Sequence, residues 1–169
     1  DHMAVRLKKY SFRFSEELFN SRLAPKSEIE QILYAACVDF SKLNRKEFNK
    51  ILNDLFLEKG WEGQPRVSSD MKAYSKFDFQ KSRIAVEVQF GHASFLGTDL
   101  LKFQMASYSN LDLIDFGVYI TTTKAMQKFL TNQYGHNWDG SLNFEKVEKY
   151  LPYFKSAIQV PIYVIGIDV

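Results

Sequence analysis

A chain of 169 residues, 46% hydrophobic and 25% charged, is long enough for one domain with a sizeable core and hardly long enough for two. Its net charge of +2 excludes a strongly basic clamp, so any nucleic-acid surface has to gather its lysines and arginines on one face. A single cysteine excludes an internal disulfide and a cysteine-rich zinc centre, and no apolar run approaches the ~20 residues of a membrane span.

Asp1, His2 and Met3 read as a cloning scar ahead of a native start at Met3, leaving residues 4–169 as one domain. No basic leader with an apolar stretch and cleavage site follows, so secretion is not suggested, and the lone cysteine, read as a buried hydrophobe, points to a reducing, cytoplasmic setting. The locally basic "VRLKKYSFRF" reads as a solvated charged face. The first helix follows Pro25: Ser27 caps it and Glu30 completes a capping box, with Ile29, Ile32, Leu33, Ala36 and Phe40 at helical spacing. That capping role accounts for Glu30 without any role at a site. Cys37 lies in this apolar run and reads as a small buried hydrophobe. A second helix begins near Asn44, with Glu47 three residues on; Phe48, Ile51, Leu52, Leu55 and Phe56 form its stripe and Gly60 its stop.

From Trp61 the period changes. "WEGQPRVSSD" reads as a short strand and turn, "AYSKFDF" as a strand and "RIAVEVQF" as the clearest strand, the three forming an antiparallel meander. Thr98 caps the helix "TDLLKFQMASY"; Asp99 then suits the helix dipole, and Lys102 reads first as a solvated lysine. "IDFGVYITT" is a buried strand, "KAMQKFLTNQYG" and "NFEKVEKYLPYFKSA" are helices, and "PIYVIGIDV" is a closing strand. Trp61 and Trp138 read as packing residues, and His136 with Asp139 supplies too few donors for a metal site. The order α-α-β-β-β-α-β-α-α-β gives an α/β (α+β) protein with a central mixed sheet flanked by helices.

The stretch "KFDFQKSRIAVEVQFG" carries the chemistry. Alternation places Ala85, Glu87 and Gln89 on one strand face and Ile84, Val86, Val88 and Phe90 on the other. A hairpin at "QKS" folds Asp78 back beside Glu87. Two carboxylates brought together repel, and a divalent cation between them relieves the cost. Mg²⁺ takes one or two carboxylates with water and phosphate, and the Val88 main-chain carbonyl is a further oxygen. Gln89 cannot serve as a base at neutral pH, but its amide can hold water or phosphate. On spacing alone, an ordinary wet strand face remains the better reading.

The segment "DFQKSRIAVEVQFGHASFLGTDLL", with "IDFGVYITTTKAM" downstream, closely resembles the BglII/BstYI family of type II restriction endonucleases, within the PD-(D/E)XK nuclease superfamily. The family pattern D-x₈-E-V-Q falls on Asp78, Glu87 and Gln89, with glutamine where most of the superfamily has lysine. "EFNKILNDLFLEKGW" and "VPIYVIGI" resemble further family segments. The resemblance implies a PD-(D/E)XK restriction-endonuclease-like fold and Mg²⁺-dependent cleavage of double-stranded DNA, with Mn²⁺ able to substitute. It implies catalytic roles for Asp78, Glu87 and Gln89, and metal ligation by Asp78, Glu87 and the Val88 carbonyl. It further implies a homodimer, a GATC-centred palindromic target and a prokaryotic cytoplasmic setting within a restriction-modification system. His92, Ser94, Lys81, Lys102, Thr122 and Lys124 are candidate DNA contacts, each with a plain structural alternative: for His92 a turn residue, for the threonines a helix cap. Two other functions fit the same residues: a nuclease triggered by modified or branched DNA, and a DNA-binding module that no longer cuts. The paired carboxylates disfavour the second.

Overall fold

Two runs rich in β-branched residues, β5 (Phe116–Thr122) and β6 (Ile162–Asp168), are buried at every position, which in a sheet requires cover on both faces. They form the centre of a mixed sheet with β1 (Arg6–Phe12), β2 (Glu62–Gly63), β3 (Phe79–Lys81) and β4 (Ile84–Val88). The computed structural model describes residues 4–65, 76–108 and 111–169, and the three residues read as a cloning scar lie outside these. Among the described residues the sheet has six strands in the order β1-β6-β5-β4-β3-β2. Strands β4, β5 and β6 run parallel, β1 pairs antiparallel with β6, and β3 pairs antiparallel with both β4 and β2.

One face is covered by α1 (Ser15–Asn20), α2 (Leu23–Ala36), α3 (Arg45–Glu58) and α5 (Lys124–Tyr134). Their Phe19, Ile29, Leu33, Phe48, Phe56 and Leu130 meet Ile84, Val86, Val118, Ile120 and Ile165 of the sheet. The other face is covered by α4 (Leu96–Tyr108) and α6 (Phe144–Tyr150), where Leu100, Phe103 and Val147 meet Ala85, Tyr119 and Val164. Each such large side chain contributes roughly 1.5–3 kcal/mol by leaving water, so the middle strands form a stiff floor. Cys37, at the end of α2, is buried and its thiol is pushed up to about 12 by desolvation, which fits the hydrophobe expected there. Among the described residues no helix is long and apolar enough to cross a membrane.

The expected meander exists as β2-β3-β4. Its first strand covers only Glu62–Gly63 among the described residues, and residues 66–75, which hold the rest of that expectation and the start of "AYSKFDF", lie outside them. The hairpin turns on Ser82 and Arg83, both at positive φ (+51° and +61°), the pairing that a type I′ hairpin turn requires. Arg83 reaches Asp115 at 3.0 Å and Asp112 at 2.7 Å, and its carbonyl accepts from the Asp115 N–H at 2.8 Å. These contacts hold two non-glycine residues in a conformation they ordinarily avoid.

Other helix starts differ from expectation. α2 begins at Leu23, so Ser27 lies inside the helix, and Glu30 pairs with Lys9 of β1 at 3.0 Å rather than completing a capping box. The basic amino-terminal segment is not merely a solvated face: it is β1, in register with β6 from Arg6↔Asp168 to Phe12↔Ile162. α4 is entered through a short 3₁₀ turn over Ala93–Phe95 capped by His92, which places Thr98 within the helix. α3 starts as expected, with the Asn44 side chain accepting from the Glu47 N–H at 2.9 Å, and Gly60 at φ +84° follows its end.

Candidate active site

The register of the β3–β4 hairpin, Phe79↔Val86 and Gln80↔Ala85, continued by one residue, sets Asp78 opposite Glu87. Asp78 is fixed through its backbone and side chain: its carbonyl accepts from the Gln64 N–H at 2.9 Å, and its Oδ2 accepts from the Val88 N–H at 2.7 Å. Its neighbours anchor it in both cores. Phe77 stacks on Phe103 of α4 with centroids 5.3 Å apart, and Phe79 stacks on Phe56 of α3 at 4.3 Å.

Val88 donates to Asp78 while Gln89 N–H donates to the Ile120 carbonyl of β5. In an extended strand the N–H and C=O of one residue point the same way. The Val88 carbonyl is therefore directed toward the Asp78 edge.

Glu87 is only 4% exposed. Its Oε2 contacts the Lys102 ammonium but has no hydrogen bond of ordinary geometry. Burial pushes this carboxyl well above its usual range, and the nearby Asp78 carboxylate, within hydrogen-bonding reach, adds to the shift; Lys102 opposes it and Asp99 reinforces it. Lys102 is not the solvated lysine its sequence context suggests. Its side chain is 13% exposed, its Nζ lies 3.5 Å from Asp99 Oδ1, and it donates to the Lys76 carbonyl at 3.1 Å. Desolvation disfavours that ammonium, yet Glu87 and Asp99 outweigh it and hold its pKa above the ordinary value.

Asp99 is a site residue that the sequence reading assigned to the helix dipole. It is 4% exposed, and its Oδ2 accepts from Tyr119 Oη at 2.6 Å and from Gln89 Nε2 at 2.8 Å. Gln89 Oε1 accepts from the Gly91 N–H at 2.9 Å, so the amide is fixed at both ends. Tyr119 stands beside Glu87 in the β4–β5 register, and burial with the Asp99 charge pushes its phenol well above the usual range. Tyr119 was missed too. Its signal was faint: one phenol in the buried strand run "GVYIT", on the same strand parity as Gly117.

Asp78, Glu87, Val88, Gln89 and Asp99 floor an open cleft of about 550 Å³. Asn49, Lys50 and Asn53 of α3 form one wall with Gln64, and Phe95, Thr98 and Lys102 form the other. Of the residues picked from sequence, Asp78, Glu87, Val88, Gln89 and Lys102 line this cleft, and the others do not. His92 and Ser94 are exposed beyond the end of β4 and bond each other, Nδ1 to Oγ at 2.8 Å. They line a separate depression with Lys146 and Tyr150. Lys81 is paired with Glu28 at 2.9 Å and donates to the Lys59 carbonyl at 2.7 Å. Thr122 is fully buried and accepts from Gln127 Nε2 at 2.9 Å, so its hydroxyl is not presented to a phosphate. Lys124 is exposed at the start of α5, where its N–H donates to Glu145.

Among the described residues, no group of three His, Cys, Asp or Glu side chains forms a ready metal cage. The donor set still fits a hard divalent cation. Two adjacent carboxylates and a main-chain carbonyl match a Mg²⁺ site completed by water and phosphate, and the buried Glu87 Oε2 already has a cation, the Lys102 ammonium, against it.

The profile of the family described as restriction endonuclease BglII/BglIII matches residues 7–167. Among solved structures, the chain is similar to the crystal structure of restriction endonuclease BglII complexed with a DNA 16-mer, with a TM-score of 0.72 and 20% identity. That likeness covers 99% of this chain and 79% of the other, and gives the fold: a PD-(D/E)XK-type sheet flanked by helices. A search of curated proteins finds no match.

Proposed function

Since this chain belongs to the restriction endonuclease BglII/BglIII family, we propose that it is a Mg²⁺-dependent type II enzyme that hydrolyses double-stranded DNA at a GATC-centred palindrome. The observation that carries this reading is the Asp78–Glu87 pair on the cleft floor, with Glu87 nearly inaccessible to water. Two acids this close resist ionising together, and the Glu87 carboxyl is raised first by burial and then by Asp78; a divalent cation between them would relieve that resistance. Asp78, Glu87 and the Val88 carbonyl would hold the cation. When bound, Mg²⁺ or Mn²⁺ would polarise the scissile phosphodiester and favour ionisation of an attacking water.

The chain's own groups do the rest. Asp78 is held by Val88 and Gln64, so it meets the phosphate in a fixed orientation. Gln89 has one Nε2 hydrogen left after its bond to Asp99, and this can orient a water or a phosphate oxygen. Tyr119 and Gln89 share Asp99 and thereby fix the amide's direction. Asn49, Lys50 and Asn53 offer neutral and cationic donors to the backbone of a duplex entering the cleft. The similar BglII structure is a DNA complex, which supports a duplex as the ligand. Each chain carries one such cleft, so cutting both strands of a palindrome calls for a homodimer.

Plasmid DNA, dam-methylated and unmethylated, incubated with Mg²⁺ or with EDTA tests the proposal. Discrete fragments are expected with Mg²⁺ only, from a protein that sediments as two chains. Asp78→Ala and Glu87→Ala are expected to lower the rate at least ~10²-fold, the scale of losing one charge-stabilising group. Cutting confined to modified or branched DNA would reassign the substrate, and tight binding with no cutting under any metal would remove the enzyme assignment.

A further inference from the structure

Three carboxylates, Asp78, Glu87 and Asp99, gather around one ammonium, that of Lys102. One cation is therefore set against three acids in a place where burial magnifies the cost of each unpaired charge. Gln89, at the motif position next to Glu87, is neutral and already committed to Asp99 and Gly91. The positive charge comes instead from α4, one turn beyond Asp99. Lys102 Nζ contacts Glu87 Oε2 and also has the Asp99 carboxylate and the Lys76 carbonyl as oxygen neighbours. Oxygen neighbours of this kind are what a hard cation takes.

We propose that Lys102 is a resident counter-ion that occupies the metal-facing side of Glu87 in the metal-free protein and is displaced when the divalent cation binds. The proposal rests on the metal-site reading above. The ammonium is the one cation in contact with Glu87 Oε2 among the described residues, and a doubly charged ion taking its place would more than replace that charge. Lys102 lines the open cleft, and its four-carbon stem lets Nζ turn toward the mouth while the Cα stays in α4. The ammonium thus competes with metal and keeps the carboxylates together in its absence. A lysine with a purely structural role would do only the second.

Calorimetric titration of Ca²⁺ into the full chain, without DNA, separates these roles, with melting in EDTA as the second readout. Lys102→Met is expected to bind Ca²⁺ about tenfold more tightly than the parent, as loss of a competing ion pair implies, and to melt lower in EDTA with a larger gain on adding Ca²⁺. Lys102→Gln, which retains a donor for the Lys76 carbonyl, is measured in parallel and takes its place should the methionine variant not fold. Unchanged or weaker Ca²⁺ affinity in a folded variant overturns the counter-ion role alone. If the folded parent binds no Ca²⁺, or Glu87→Gln binds it as well as the parent, the metal-site reading falls and this proposal with it.

Discussion

Glu87 keeps its proton to higher pH than an ordinary glutamate, first because it is buried and then because Asp78 stands beside it. The folded chain therefore holds more protons than the unfolded chain once pH passes the ordinary glutamate value of 4.5. Stability is then lost as pH rises toward the folded-state value. Metal-free protein is expected to melt progressively lower as pH rises above the ordinary glutamate value, and Glu87→Gln, which cannot titrate there, is expected to lose that slope. Equal slopes in thermal scans of the two proteins would show that Glu87 is not the group responsible. At this scale the sequence was only partly legible. Alternation placed Glu87 and Gln89 on one face, and the family pattern turned that face into a site. Asp99 and Tyr119 stayed hidden because each had a sufficient local explanation, a helix dipole for one and a buried strand for the other. Only the β4–β5 register and the docking of α4 bring them together.

α4 delivers Asp99 and Lys102, and its seat on the sheet depends on a missing side chain. A Cβ on Gly117 would stand 2.4 Å from the ring of Phe103. That ring is fully buried between Phe77 and Tyr119, so the helix would have to shift rather than the ring. Gly117→Ala is expected to cost about 1–3 kcal/mol, lowering the melting midpoint by ~2–4 °C for each. Its cleavage rate measured well below that midpoint is expected to fall as well; an unchanged rate would mean α4 had not moved. Among the elements, long amphipathic and β-branched runs were readable in order and kind. Their starts were less so. Ser27 and Thr98 have the chemistry of caps, but the chain begins those helices earlier, after Arg22 and through the His92 turn. β1 was concealed because exposed cations occupy much of an edge strand that faces solvent.

Over the whole molecule, a charge of +2 leaves recognition of DNA to local placement rather than to a global field, and the two walls of the cleft come from opposite faces of the sheet. α3 packs on one face and α4 on the other, and the chain crosses between these layers at Asp78, with Phe79 stacked on the α3 side and Phe77 on the α4 side. Phe77→Leu and Phe79→Leu keep an apolar anchor but loosen that crossing. Each is expected to slow cleavage by up to ~10²-fold, as small misplacements of reacting groups do, while DNA binding in Ca²⁺ changes little. Parallel losses of both would assign the two rings to binding instead. Asp78 is thus the rivet between the two layers: bonded to Val88 and flanked by one ring in each core, it ties the seating of both helices to the position of a single acid.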